Sequence, residues 1–126
     1  MIKQYLSLTA YITPIERMNE NSRDGWPKDG DSALVHSLAD TFYRFVTSHE
    51  ELRLDYYRDI LAENGIMTDR LDEADVSGKS GRCVLAMLYA AVRAERFCDG
   101  FLLDNCKNGT IVRWLKRLKD LDEAGE

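Results

Sequence analysis

The sequence predicts an all-α fold, an irregular orthogonal bundle of about five to seven helices around one central apolar helix. Three observations point there. Apolar residues recur with helical period over residues 32–48 and 110–122. Residues 83–92 form a ten-residue run without a charge. No stretch alternates apolar and polar residues with period two for long enough to make a strand, although Met67 and its flanks read as extended.

At the N-terminus the pattern over residues 2–11 is helical. Thr13 with Glu16 forms a capping box around Pro14, which predicts a second helix starting at that proline. The turn-rich segment 24–31 follows, carrying Asp24, Asp29 and Asp31; its spacing fails the EF-hand template. Within 32–48, Leu34, Val35, Leu38, Ala39, Phe42, Phe45 and Val46 fall in an arc of roughly 140°. His36, Asp40, Arg44 and Thr47 face the other way. The next helix ends at Asn64-Gly65, with Ile66 packing back. Two starts suit it: a capping box of Ser48 with Glu51, or a cap at Asp55.

Residues 68–80 are acidic and turn-like, leading through Ser77-Gly78-Lys79-Ser80 into the central helix, about residues 81–97. A phosphate-binding loop would need Gly where Glu73 stands, and a preceding strand, so the segment reads as a helix entry. The run from Cys83 onward is apolar around its whole circumference, as in a helix surrounded by neighbours. A short helix over 100–107 closes at Asn108-Gly109. In the last helix Ile111, Trp114, Leu115, Leu118 and Leu121 share one face, opposite Arg113, Lys116, Arg117 and Asp120. The 126 residues thus make one helical domain, with residues 32–122 as its core and 1–31 as N-terminal helices and loop.

Composition narrows the function classes. A net charge of −5 argues against sequence-independent nucleic-acid binding, and against contact through Arg113, Lys116, Arg117 and Lys119, because neutralising phosphates takes surplus Lys and Arg. The same sign suits an acidic face that imitates nucleic acid or meets a basic partner. The three cysteines, Cys83, Cys98 and Cys106, read as reduced, buried structural thiols. No secretory signal is legible at the start, and the longest uncharged run is half of the roughly 20 residues a membrane span needs. The chain therefore reads as cytoplasmic, with no membrane contact. His36 and His49 lie too far apart on one helix to share a metal, and no C-x-x-C occurs; neither metal nor cofactor is expected.

Two charge features remain. Residues 50–75 hold nine acids against three bases. Glu50, Glu51, Asp55, Asp59, Asp69, Asp72, Glu73 and Asp75 are the candidates for an acidic protein-docking face; the alternative is two solvated faces of opposite sign, the second being the basic run 113–119. At the end of the central helix, Glu95 extends the stripe of Val84, Leu88 and Ala91, and Arg96 that of Leu85, Tyr89 and Val92. Charges on apolar stripes need partners, so Arg93, Glu95, Arg96 and Asp99 are expected to form an internal network, with Asp99 capping the next helix. The alternative for these four is a polar ligand pocket.

The residues Val92-Arg93-Ala94-Glu95-Arg96-Phe97-Cys98-Asp99-Gly100, and the ending Gly109, Ile111, Trp114, Leu115, Arg117, Leu118, resemble a bacterial family of small helical proteins of unknown function. That family carries an R-x-E-R-F-x-D-G motif and a terminal I-x-x-W-L-x-R-L type helix. Tyr57, Ile60, Leu61, Gly65 and Ile66 also fit its pattern, and Ala94 stands where many members carry Gly. The resemblance implies a helical architecture and treats Arg93 to Gly100 as a unit; it implies no activity.

Taken together, these features predict a non-catalytic protein-binding regulator or inhibitor, in its narrowest form a mobile-element or phage inhibitor of a host defence nuclease. The alternative is an enzyme or small-molecule binder using Arg93, Glu95, Arg96 and Asp99. The expected partner is another protein, and a homodimer through an amphipathic stripe stays open.

Overall fold

A computed structural model of the chain describes residues 4–21, 29–98 and 100–125. The architecture is all-α, with no strand among the described residues. A single turn, α1 (Leu6–Thr9), leads to α2 (Ile12–Asn21) and the long α3 (Asp29–Ser48). Two 3-10 turns, Glu50–Leu52 and Leu54–Tyr56, precede α4 (Tyr57–Glu63), and a third spans Thr68–Glu73. Then come α5 (Gly81–Ala94), α6 (Phe101–Lys107) and α7 (Thr110–Ala124).

The N-terminal expectation shifts. Helix α2 starts at Ile12, so Thr13 and Pro14 lie inside its first turn rather than at its cap. Proline is tolerated there because the first-turn N–H groups have no partner within the helix. Glu16 meets Lys116 at 3.4 Å instead of reaching back to Thr13. The loop aspartate Asp24 lies outside the described residues, as do the side chains of Asp29 and Asp31.

Helix α5 forms the centre, packed against α4, α6, α7 and the 3-10 turns on either side of α4. From Cys83 to Leu88 every residue is buried, as a helix without a polar face requires. Burying each of Leu85, Met87 and Leu88 contributes about 1.5–3 kcal/mol. Ser80 caps α5, its hydroxyl accepting the Cys83 N–H at 3.2 Å, so the Ser77–Ser80 segment is a helix entry. On α3 the buried residues are Val35, Leu38, Phe42 and Phe45, with His36, Asp40, Arg44 and Thr47 exposed as the periodicity predicts. The Phe42 ring meets Tyr89 edge-on at 6.1 Å, tying α3 to α5.

The end of α4 follows its sequence signal. Gly65 takes φ 70°, its N–H bonds the Ala62 carbonyl, and the Ile66 N–H reaches back to Leu61 at 2.9 Å. That is a Schellman closure. The capping-box start does not hold, since Ser48 ends α3; α4 begins at Tyr57, next to the later of the two expected starts, but no side chain caps it. Arg53, at φ 53°, instead turns the chain between the two 3-10 segments. Left-handed backbone at a non-glycine residue interrupts a helix, which is why the segment cannot run continuously from Ser48.

Arginines and one aspartate pin the connections. Arg117 donates twice to the Lys79 carbonyl, at 3.1 and 2.9 Å, and Arg113 donates to that of Asp72 at 2.7 Å. Arg82 donates to the Leu52 carbonyl at 2.8 Å. The buried Asp122 carboxylate, near the end of α7, accepts the Tyr5 N–H at 3.0 Å. Two bases of the run 113–119 thus hold loop carbonyls, and a third, Lys116, meets Glu16. No helix among the described residues is long and apolar enough to cross a membrane.

Candidate functional site

Helix α5 ends three residues earlier than its pattern predicts, and this decides where the charged cluster goes. From Arg96 the backbone bonds tighten to i−3 partners, Arg96 to Arg93 and Phe97 to Ala94. A tighter turn rotates each following side chain further than an α-helix would, carrying them off the buried stripes. Arg96 is exposed, and Phe97 is 86% exposed.

Glu95 does not meet the arginines. Its Oε2 accepts the Gly100 N–H at 2.7 Å and its Oε1 accepts the Leu102 N–H at 3.0 Å. These are the N–H of the N-cap residue and a first-turn donor of α6, so Glu95 caps that helix from five residues upstream of Gly100. The cap position itself is Gly100, at φ 88°, and not Asp99, which lies outside the described residues. Arg93 points elsewhere, over the Tyr89 ring at 6.0 Å from its centre. The neighbouring phenols, that of Tyr89 ahead of that of Tyr57, favour its charged form. Among the described residues, then, Arg93, Glu95 and Arg96 are not brought together into the expected network.

What Arg93 does join is a groove. Helix α5 contributes Ala90, Arg93 and Ala94, at the i, i+3, i+4 spacing of one helix face, and the turn just past its end adds Phe97. Helix α4 contributes Tyr57, Arg58 and Ala62, and the following segment adds Ile66, Met67, Thr68 and Leu71. Phe101 of α6 completes the lining. The depression measures about 720 Å³. A second one of about 430 Å³ runs on from it past Tyr57, Arg58 and Arg93 to Asp55, Tyr56, Asp59 and Tyr89. Among the described residues four large apolar side chains stand exposed, and three lie on this strip: Phe97, Met67 at 60% and Tyr56 at 50%. The fourth, Leu6, is on α1.

Tyr57, Arg58 and Arg93 line both depressions, and Tyr89 joins them in the second. Tyr57 and Tyr89 lie with ring centres 5.0 Å apart. The Arg58 guanidinium stands 5.8 Å from the centre of Tyr57, and its Nε donates to that phenol at 3.3 Å. Arg93 takes the matching place over Tyr89. Each guanidinium thus stands near one of two rings that are tilted to each other by 32°, as cation–π contacts favour. Neither has an ion pair with a carboxylate among the described residues.

The acidic candidates spread over the surface. Glu50, Glu51, Asp55, Asp59, Asp72, Glu73 and Asp75 are all exposed; nothing is described for the side chain of Asp69. Asp55 and Asp59 line the second depression, whereas Glu73 and Asp75 line another with Arg70 and Lys79. Asp75 also closes a local turn. Its Oδ1 accepts both the hydroxyl and the N–H of Ser77, and these bonds hold its carboxyl below the usual range.

Of the thiols, Cys83 and Cys106 are buried, whereas Cys98 is exposed because it lies on the turn beyond α5. Burial pushes the Cys106 thiol up to about 12 and moves Cys83 in the same direction, so both stay protonated and unreactive at neutral pH. Among the described residues no three His, Cys, Asp or Glu side chains are grouped to hold a metal.

The profile of a family of unknown function, DUF6508, matches residues 3–124. The chain belongs to that family. The match takes in nearly the whole fold, α1 to α7, and so includes both the Glu95 clasp and the groove. No curated protein and no solved structure matches the chain.

Sequence reasoning singled out Arg93 but missed Tyr57, Arg58 and Met67 as its neighbours. The available signal was the pair of large apolar residues, Met67 and Phe97, each just beyond the end of a helix where its stripe no longer needs them.

Proposed function

We propose that this DUF6508 protein is a non-catalytic protein-binding regulator, and that the groove between α4 and α5 receives an apolar segment of its partner. The observation that carries this reading is the 86% exposure of Phe97 beside Met67 on a concave strip with an alanine floor. A large aromatic residue left in water at the rim of a groove gains by being covered, and aromatic and methionine side chains are the usual anchors of interfaces. Small Ala62, Ala90 and Ala94 leave room for a partner backbone to come close. The chain's net charge of −5 would steer it toward a partner with a basic surface elsewhere. A nuclease that must hold a polyanion is one such partner, which keeps the inhibitor reading as the narrower form of this proposal.

The alternative, a small-molecule site on Arg93, Glu95, Arg96 and Asp99, is supported less well. Glu95 is committed to α6, and of the described residues among these four Arg93 alone lines the groove. Panning a random peptide library against the folded protein, then mapping a selected peptide by amide chemical shifts, tests the proposal. Shifts centred on Ala90, Ala94 and Phe101 are expected. Shifts centred on α1 around Leu6, or no enriched peptide at all, would overturn it.

A further inference from the structure

Resting on the groove reading, we infer that the occupant is an amphipathic helix of a partner protein bearing a carboxylate one turn away from a large apolar residue, and that Arg93 is the residue that pairs with this carboxylate. Arg58, Tyr57, Tyr89 and Arg93 form one row along the second depression. The row holds two positive charges on adjoining rings, with no ion pair to a described carboxylate. Asp55 and Asp59 line the adjoining depression without pairing to either guanidinium.

Both guanidiniums are also held in place before anything binds. A guanidinium resting on an aromatic face gives up less side-chain freedom when it pairs, and its planar fork matches a carboxylate. Covering the groove would remove water around Arg93, which strengthens an ion pair there and penalises an unmatched or like charge.

Arg93, on the last turn of α5, and Phe97, on the tighter turn beyond it, line the same groove. An amphipathic helix carries its residues i and i+4 on one face, so a carboxylate at i and an apolar residue at i+4 meet Arg93 and the Met67–Phe97 rim together. A segment with a lysine at that position would place like charges face to face.

Three synthetic amphipathic peptides of about 16 residues, identical except for Glu, Gln or Lys one turn from a Phe, provide the test. Their affinities for the intact protein and for Arg93→Gln are measured by calorimetry, with sedimentation of the protein alone as a companion. The Glu peptide should bind the protein at least about tenfold more tightly than the Gln peptide, and the Lys peptide weakest. Arg93→Gln should erase the preference for Glu, and added salt should reduce it. Equal binding of all three peptides, mapped to the groove, overturns the charge rule while leaving the docking groove standing. Binding by none of them overturns both. A dimer that dissociates on Phe97→Ser would show the occupant to be a second copy of this chain and would also overturn the inference.

Discussion

Glu95 holds the N–H of Leu102 at 3.0 Å while also accepting that of Gly100 at 2.7 Å, so the end of α5 and the start of α6 are fastened by one side chain. Removing it leaves two helix-start donors without their charged acceptor. Glu95→Ala should therefore lower stability by about 1–2 kcal/mol, as loss of a helix cap does. Glu95→Gln, which keeps one acceptor oxygen, should fall between. Urea unfolding midpoints at neutral pH check this; a midpoint for Glu95→Ala equal to that of the parent would refute the clasp.

Tyr5 and Gly81 pack so closely that a Cβ on Gly81 would stand 2.1 Å from the Tyr5 hydroxyl oxygen and 2.8 Å from Cζ. The ring has little freedom to yield. It is buried against Phe45 at 6.2 Å between centres, and its backbone N–H is held by Asp122. Gly81→Ala should cost about 1–3 kcal/mol by overpacking. Adding Tyr5→Phe should recover part of that, because the hydroxyl clash goes and the Cζ contact stays. Thermal unfolding of the two single variants and the double variant measures the coupling; strict additivity would contradict the contact.

Alkaline pH should unfold the protein through its buried acids. Burial raises the thiols of Cys106 and Cys83, and it raises the Tyr5 phenol with help from the Asp122 charge. In the unfolded chain a thiol loses its proton around its ordinary value of 9.0, while the folded chain keeps that of Cys106 up to about 12. The folded state then binds more protons, so stability is at its full value below pH 9 and is lost as pH rises from 9 toward about 12. Each such group contributes a slope of about 1.4 kcal/mol per pH unit. Stability measured from pH 8 to 11 should fall less steeply in Cys106→Ala than in the parent. Parallel slopes would show that this thiol is not the group responsible.

How far the sequence reached depended on whether a feature is local. The α3 stripe of Val35, Leu38, Phe42 and Phe45, the Gly65 closure and the apolar centre around Leu85 follow from period and turn chemistry, and each is where the pattern places it. The end of α5 was not legible, because the tightening at Arg96 is a matter of a few backbone bonds that no side chain announces. That one turn moved Arg96 and Phe97 outward. Glu95 stands out in the sequence as a charge on an apolar stripe that needs a partner. The partner is backbone N–H, which carries no residue identity and so cannot be read from spacing. The groove was hidden for another reason: Tyr57, Met67, Arg93 and Phe101 come from separate segments and meet only in the folded chain.

The central claim is that the α4–α5 strip is a working surface and not part of what holds the fold together. At 86% exposure, Phe97 is the residue whose loss should separate the two, since Phe97→Ser removes little buried area and should change stability by no more than about 0.5 kcal/mol. The most direct measurement is the affinity of Phe97→Ser for a library-selected peptide that binds the parent protein. At least a tenfold loss, about 1.4 kcal/mol, is predicted with the unfolding temperature unchanged. Unaltered affinity would contradict the account.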